Sequence, residues 1–192
     1  IKQPNKHFTP TLYEGNGTAI GSGGKTITGL EFQPDLVWIK NRDAADSHSL
    51  YDSSRGATKQ LESDTSTAET TESEGLTSFT SDGFTLGSLN QVNTNNESYV
   101  GWNWKANAGT TATNNDGSIT STVQANRTAG FSIVQWTGDN ASSATVGHGL
   151  SSAPEYILIR NLDDGTDWWV YHKSLTADNN LKLNTDDAQG TF

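Results

Sequence analysis

The densest group of potential ligand atoms in the sequence is Asp163-Asp164-Gly165-Thr166-Asp167-Trp168-Trp169. Carboxylates clustered around a glycine turn can supply the oxygen ligands that Ca²⁺ takes. An exposed indole beside them can lie flat against a sugar ring. Asp164, Asp167, Trp168 and Trp169 therefore outline a carbohydrate site of the calcium-assisted, lectin-like kind, with Asp163, Asp164 and Asp167 as its metal ligands. The competing reading is structural: a polar turn followed by tryptophans that alternate between the core and a covered outer face.

The remaining inventory is poor in catalytic patterns. Paired acids across a cleft would serve glycoside hydrolysis, but the Asp and Glu residues stand mostly in turns beside Gly, Asn or Ser. His7, His48, His148 and His172 share no ligand spacing. Gly21-Ser22-Gly23-Gly24 is a flexible loop and not the Gly-x-Ser-x-Gly elbow of a nucleophilic serine. Glycine-rich segments lack the following helix that a phosphate cradle needs. Arg55-Gly56 leads into Ala57, which removes an integrin-type motif, and Asn16-Gly17-Thr18 and Asn140-Ala141-Ser142 are sequons that read as turns. The expectation is a non-enzymatic protein with no cofactor beyond that possible Ca²⁺.

The elements that must position the acidic turn are set by a repeat. Pro34-Asp35-Leu36-Val37-Trp38-Ile39-Lys40-Asn41 returns 120 residues later as Pro154-Glu155-Tyr156-Ile157-Leu158-Ile159-Arg160-Asn161. Without a gap, Pro34, Ile39, Asn41, Asp43, Tyr51, Ser54, Ala57, Leu61, Thr65 and Ala68 each meet an identical residue 120 positions on. A fixed offset of this kind is the mark of a duplicated structural unit. The boundaries expected are a first unit over 1–106, a linker over 107–116 and a second unit over 117–192. Residues 76–104 find no counterpart before Phe192, so the second unit reads as incomplete, and Ile1 as the start of a processed product or fragment.

Within the repeat, Leu36 and Trp38 face one way and Val37 and Ile39 the other. A strand apolar on both faces is central and covered twice. A long loop, the neighbouring repeat or another subunit must supply the second cover, which makes a homotrimer a candidate assembly. Pro10 confines Phe8–Gly15 to a sheet edge. Asp82-Gly83 between alternating apolar residues predicts a tight hairpin. Val100, Trp102 and Trp104 share a face and are expected to contribute heavily to the core. Residues 106–116 have linker composition. With no helical spacing in any long window, the fold class is all-β: tandem β-sandwich or jelly-roll units.

Composition agrees and excludes partners. Gly, Asn, Ser, Thr and Asp are plentiful, as short strands joined by turns require. Six Trp, five Tyr and six Phe give enough apolar surface to fold. A net charge of −10 opposes nucleic acid and anionic membranes. The absence of cysteine removes disulfides and thiolate metal sites. No apolar run reaches the roughly 20 residues of a membrane-spanning helix.

Pro34–Arg42, Tyr51–Lys59, Thr80–Gly87 and Tyr99–Lys105 together resemble a pattern in virion proteins of marine bacteriophages, and Asp116 to His172 is similar to its continuation. The resemblance implies a repeated-module structural protein located in the virion. Its expected role is a tail-fibre or adhesin module that attaches to the host surface, with other virion proteins and a host glycan or receptor as partners. A capsid decoration or head-fibre protein is the alternative, and a polysaccharide depolymerase a further one.

Overall fold

The computed structural model describes residues 2–191 and is almost entirely β. The first unit contains β1 (Phe8–Glu14), β2 (Lys25–Ile27), β3 (Leu36–Asn41), β4 (Ser49–Asp52), β5 (Lys59–Glu62), β6 (Thr70–Thr71), β7 (Leu76–Thr80), β8 (Gly83–Leu86) and β9 (Ser98–Trp104). A single helical turn, α1 (Asn90–Asn93), lies in the Asn-rich stretch before β9. One sheet runs β1-β9-β3-β4-β5-β6 and the other β2-β8-β7. Between them lies the core: Val37, Ile39, Tyr51 and Tyr99 from the larger sheet against Ile27, Leu76, Phe84 and Leu86 from the smaller. This is a two-layer sandwich.

The doubly apolar strand β3 sits in the middle of its sheet, paired with β9 and β4. Pro10 lies on β1 at the sheet's end, where a missing N–H costs no ladder bond. The expected hairpin is β7–β8, but its two-residue loop is Ser81-Asp82, and Gly83 opens β8. A Cβ at Gly83 would overlap the Ile27 carbonyl oxygen, so the glycine serves the close approach of β2. The Asp82 carboxylate meanwhile accepts the Gly29 and Glu31 amides at 2.9 and 2.7 Å, which holds it below the usual carboxylate range.

Strand β9 corrects one expectation. Its buried residues are Tyr99, Gly101 and Asn103, while Val100, Trp102 and Trp104 turn to the outer face. The reason is polar satisfaction. The Tyr99 hydroxyl donates to the Asn90 carbonyl at 2.7 Å and accepts the Thr94 amide at 2.8 Å, and its ring stacks on Tyr13 at 5.1 Å. Asn103 Nδ2 donates to the Thr9 carbonyl at 2.9 Å, while its Oδ1 is buried without a partner. Those bonds hold the less apolar set inside and leave the tryptophans for another partner.

The second unit contains β10 (Ala112–Asn114), β11 (Ser121–Asn126), β12 (Phe131–Trp136), β13 (Tyr156–Ile159), β14 (Trp169–His172), β15 (Asn179–Lys182) and β16 (Gly190–Thr191), in sheets β10-β11-β12 and β13-β14-β15-β16. The duplication holds register for register. Leu36↔Asp52, Leu50↔Leu61 and Gln60↔Thr70 recur 120 residues on as Tyr156↔His172, Val170↔Leu181 and Asn180↔Gly190. The Ser53 N–H bond to the Asp35 carbonyl recurs as Lys173 to Glu155.

Residues 107–116 are not a free linker, since β10 lies within them and pairs with β11. Asp35, fully buried, gathers this segment: its carboxylate accepts the amides of Ala106, Ala108 and Gly109 at 2.7, 2.9 and 2.7 Å and the Ser53 hydroxyl at 2.7 Å. Gln124 of β11 extends the node to the Ser53 and Ser54 hydroxyls at 2.9 and 2.8 Å.

Candidate functional site

The acidic turn is organised by Asn161, whose Oδ1 accepts the amides of Asp163 and Asp164 at 2.9 and 3.2 Å. Asn41 does the same for Asp43 and Ala44 in the first unit. Asp163 and Asp164 point to solvent, and Asp164 accepts Asn161 Nδ2 at 3.3 Å. Asp167 turns toward β15, paired with Lys182 at 2.8 Å and with Asn184 Nδ2 at 2.9 Å, and these two bonds depress its carboxyl titration. Among the described residues, no group of three or more His, Cys, Asp or Glu side chains is placed to hold a metal ion.

The two tryptophans separate. Trp169, on β14, is half-buried with Lys182 Nζ 5.8 Å from its ring. Trp168 is only 4 % exposed, and this corrects its expected role as a sugar platform. It packs on Leu50 and Leu61 of the first unit, with Leu36, Trp38, Leu158, Leu162 and Leu183 around them. Its Nε1 donates to the Glu62 carbonyl at 2.8 Å. Nearby, Arg160 Nη2 donates to the Thr67 carbonyl at 2.6 Å, and the Glu69 amide to the Leu162 carbonyl at 2.9 Å. Thus the second cover over β3 is the neighbouring repeat, and the trimer loses the argument based on that face. Burial of an aromatic side chain this size contributes about 1.5–3 kcal/mol or more to the seam.

The cover is partial. Beyond the seam, Trp38, Trp102, Trp104 and His48 line a cleft of about 300 Å³. Strand pairing sets Trp38 opposite Trp102, with their rings near perpendicular at 6.0 Å. Trp104 stands between Phe8 at 4.9 Å and Phe131 of β12 at 6.4 Å, which lengthens the aromatic surface. The cleft walls are nearly all carbon. Trp38 Nε1 and His48 Nδ1 are buried without a hydrogen-bond partner. Burial pushes the His48 imidazole below its usual range, against the opposing pull of Asp64.

Such a surface can stack a flat or weakly polar ring and offers little for anions or metals. Sequence reasoning placed Trp102 and Trp104 in the core and left open which face of β3, that of Trp38 or that of Val37, meets it. The signal that distinguishes the two is the intervening Tyr99-x-Gly101-x-Asn103, whose hydrogen-bonding ends seek fixed internal partners.

Comparison with curated proteins and with solved structures gave no match. The family described as Domain of unknown function (DUF7483) matches residues 3–192, and the chain belongs to that family.

Proposed function

We propose that the chain is a non-enzymatic structural module of a bacteriophage virion, of the tail-fibre or adhesin kind, that meets the host surface. The observation that carries this reading is the aromatic cleft of Trp38, Trp102, Trp104 and His48 on the outer face of a sheet whose β4–β5 side is covered by the second repeat. Two units packed through a buried tryptophan make a stiff support, and the cleft presents rings suited to stacking on a saccharide. The resemblance to marine phage virion proteins supports the same assignment.

The test is binding of the purified chain to host cells and to their isolated surface polysaccharide, with Trp102→Ala and Trp104→Ala as variants. Alanine at either position is expected to weaken binding at least tenfold, equivalent to about 1.4 kcal/mol. Undiminished binding by both variants overturns the cleft as the contact. Release of reducing ends from the polysaccharide would instead identify a depolymerase. Location on the head in a whole-virion reconstruction would identify a capsid decoration protein.

A further inference from the structure

The two copies of the repeat differ in one respect that their shared register makes measurable. In the first unit β3 has two neighbours, β9 and β4; in the second, β13 pairs with β14 alone. The backbone direction at that open edge follows from three bonds. Arg42 N–H donates to the Ser98 carbonyl and Ser53 N–H to the Asp35 carbonyl. In an antiparallel ladder such bonds recur at every second residue, so Leu36, Trp38 and Lys40 turn their peptide groups to β9, and Val37 and Ile39 turn theirs to β4. The matching Lys173 to Glu155 bond gives β13 the same phase. Tyr156, Leu158 and Arg160 therefore present N–H and C=O groups at an edge with no strand beside it among the described residues.

Side-chain packing around β13 is also less complete. Val37 and Ile39 are fully buried against Ile27, Leu76, Phe84 and Leu86 of the smaller sheet, whereas their copies Ile157 and Ile159 are only partly buried, and Tyr156 is 52 % exposed. Asn41 Nδ2 reaches Glu97 at 2.5 Å and the Tyr99 hydroxyl at 3.3 Å, both from the β9 segment. Its copy Asn161 turns Nδ2 to Asp164 instead.

We propose that the open edge of β13 is a strand-acceptor site, and that its occupant is an extended polypeptide segment with the alternation of β9: tyrosine, glycine and asparagine toward the core, apolar and indole side chains outward. The first unit supplies the register. Tyr156, Leu158 and Arg160 face the positions held by Trp104, Trp102 and Val100, and Asn161 meets the tyrosine. Main-chain bonds give such an addition its affinity, and the alternate side chains its selectivity. The proposal stands independently of where in a virion the protein resides.

The test uses residues 1–192 and a labelled synthetic peptide of residues 97–105. Saturable one-to-one binding is expected, with amide exchange at Tyr156, Leu158 and Arg160 slowed about tenfold or more. N-methylation of the peptide at Val100 and Trp102, whose N–H groups face β3 in the first unit, should abolish binding, and a scrambled peptide should not bind. Absence of saturable binding, indifference to N-methylation, slowed exchange confined to other strands, or pairing of β13 with β13 of a second copy would each overturn it.

Discussion

Trp168 Nε1 donates to the carbonyl oxygen of Glu62 at 2.8 Å, across the seam between the two repeats. The position equivalent to Trp168 in the first unit is His48, which instead lines the aromatic cleft with an unpaired Nδ1. One site in the repeated pattern thus does two jobs: in one copy it welds the units together, and in the other it borders the surface left open.

Trp168→Ala should destabilise the chain by about 3–5 kcal/mol, the cost of emptying a packed aromatic site. Urea unfolding followed by circular dichroism measures this. Trp168→His, which installs the first unit's residue, should lie between the two. A loss below about 1 kcal/mol for alanine would mean that the seam does not hold the units.

Asp35→Ala should cost more than about 3 kcal/mol, because each buried donor left without an acceptor costs about 1–3 kcal/mol. Three donors lose their acceptor, the amides of Ala106 and Ala108 and the Ser53 hydroxyl, while the Gly109 amide keeps Gln124 Oε1 at 3.1 Å. Amide exchange over 106–109 should accelerate before global unfolding does.

His48 titrates below its ordinary value of 6.5 because burial disfavours the imidazolium. In the window between the folded value and 6.5 the unfolded chain holds more protons, so stability rises with pH. This contribution is complete above 6.5 and is lost as pH falls through that window. The stability difference between wild type and His48→Gln should therefore shift against wild type between pH 7 and 5. A ring titration at or above 6.5, read by NMR, would sink the idea.

Gly83→Ala and Gly101→Ala make a matched pair. A Cβ at Gly83 overlaps the Ile27 carbonyl, whereas at Gly101 the nearest atom beyond its neighbours is 3.8 Å away. The first should lose about 1–3 kcal/mol or more through overpacking, and the second should change little. Thermal melts of the two variants decide it.

Much of the fold was legible along the chain. The 120-residue echo specified equivalent strands, and the structure returns them in identical register. The two apolar faces of Leu36–Ile39 announced a central strand, and Pro10 an edge. These features are local: alternation and ring geometry act on each strand wherever it lies. The candidate site was less legible. Which face of Tyr99–Trp104 turns inward depends on the partners of Tyr99 and Asn103, which come from Asn90, Thr94 and Thr9.

The sequence by itself determined an all-β chain built on a duplicated unit, because side-chain alternation and a repeated pattern need no knowledge of distant contacts. Only the tertiary structure decided that Trp168 is a seam residue, that Asp35 holds the start of the segment between the units through Ala106, Ala108 and Gly109, and that the second repeat covers part of the second face of β3. Each of those outcomes rests on groups far apart in the chain, where burial and hydrogen-bond satisfaction choose among faces that the local pattern leaves equivalent.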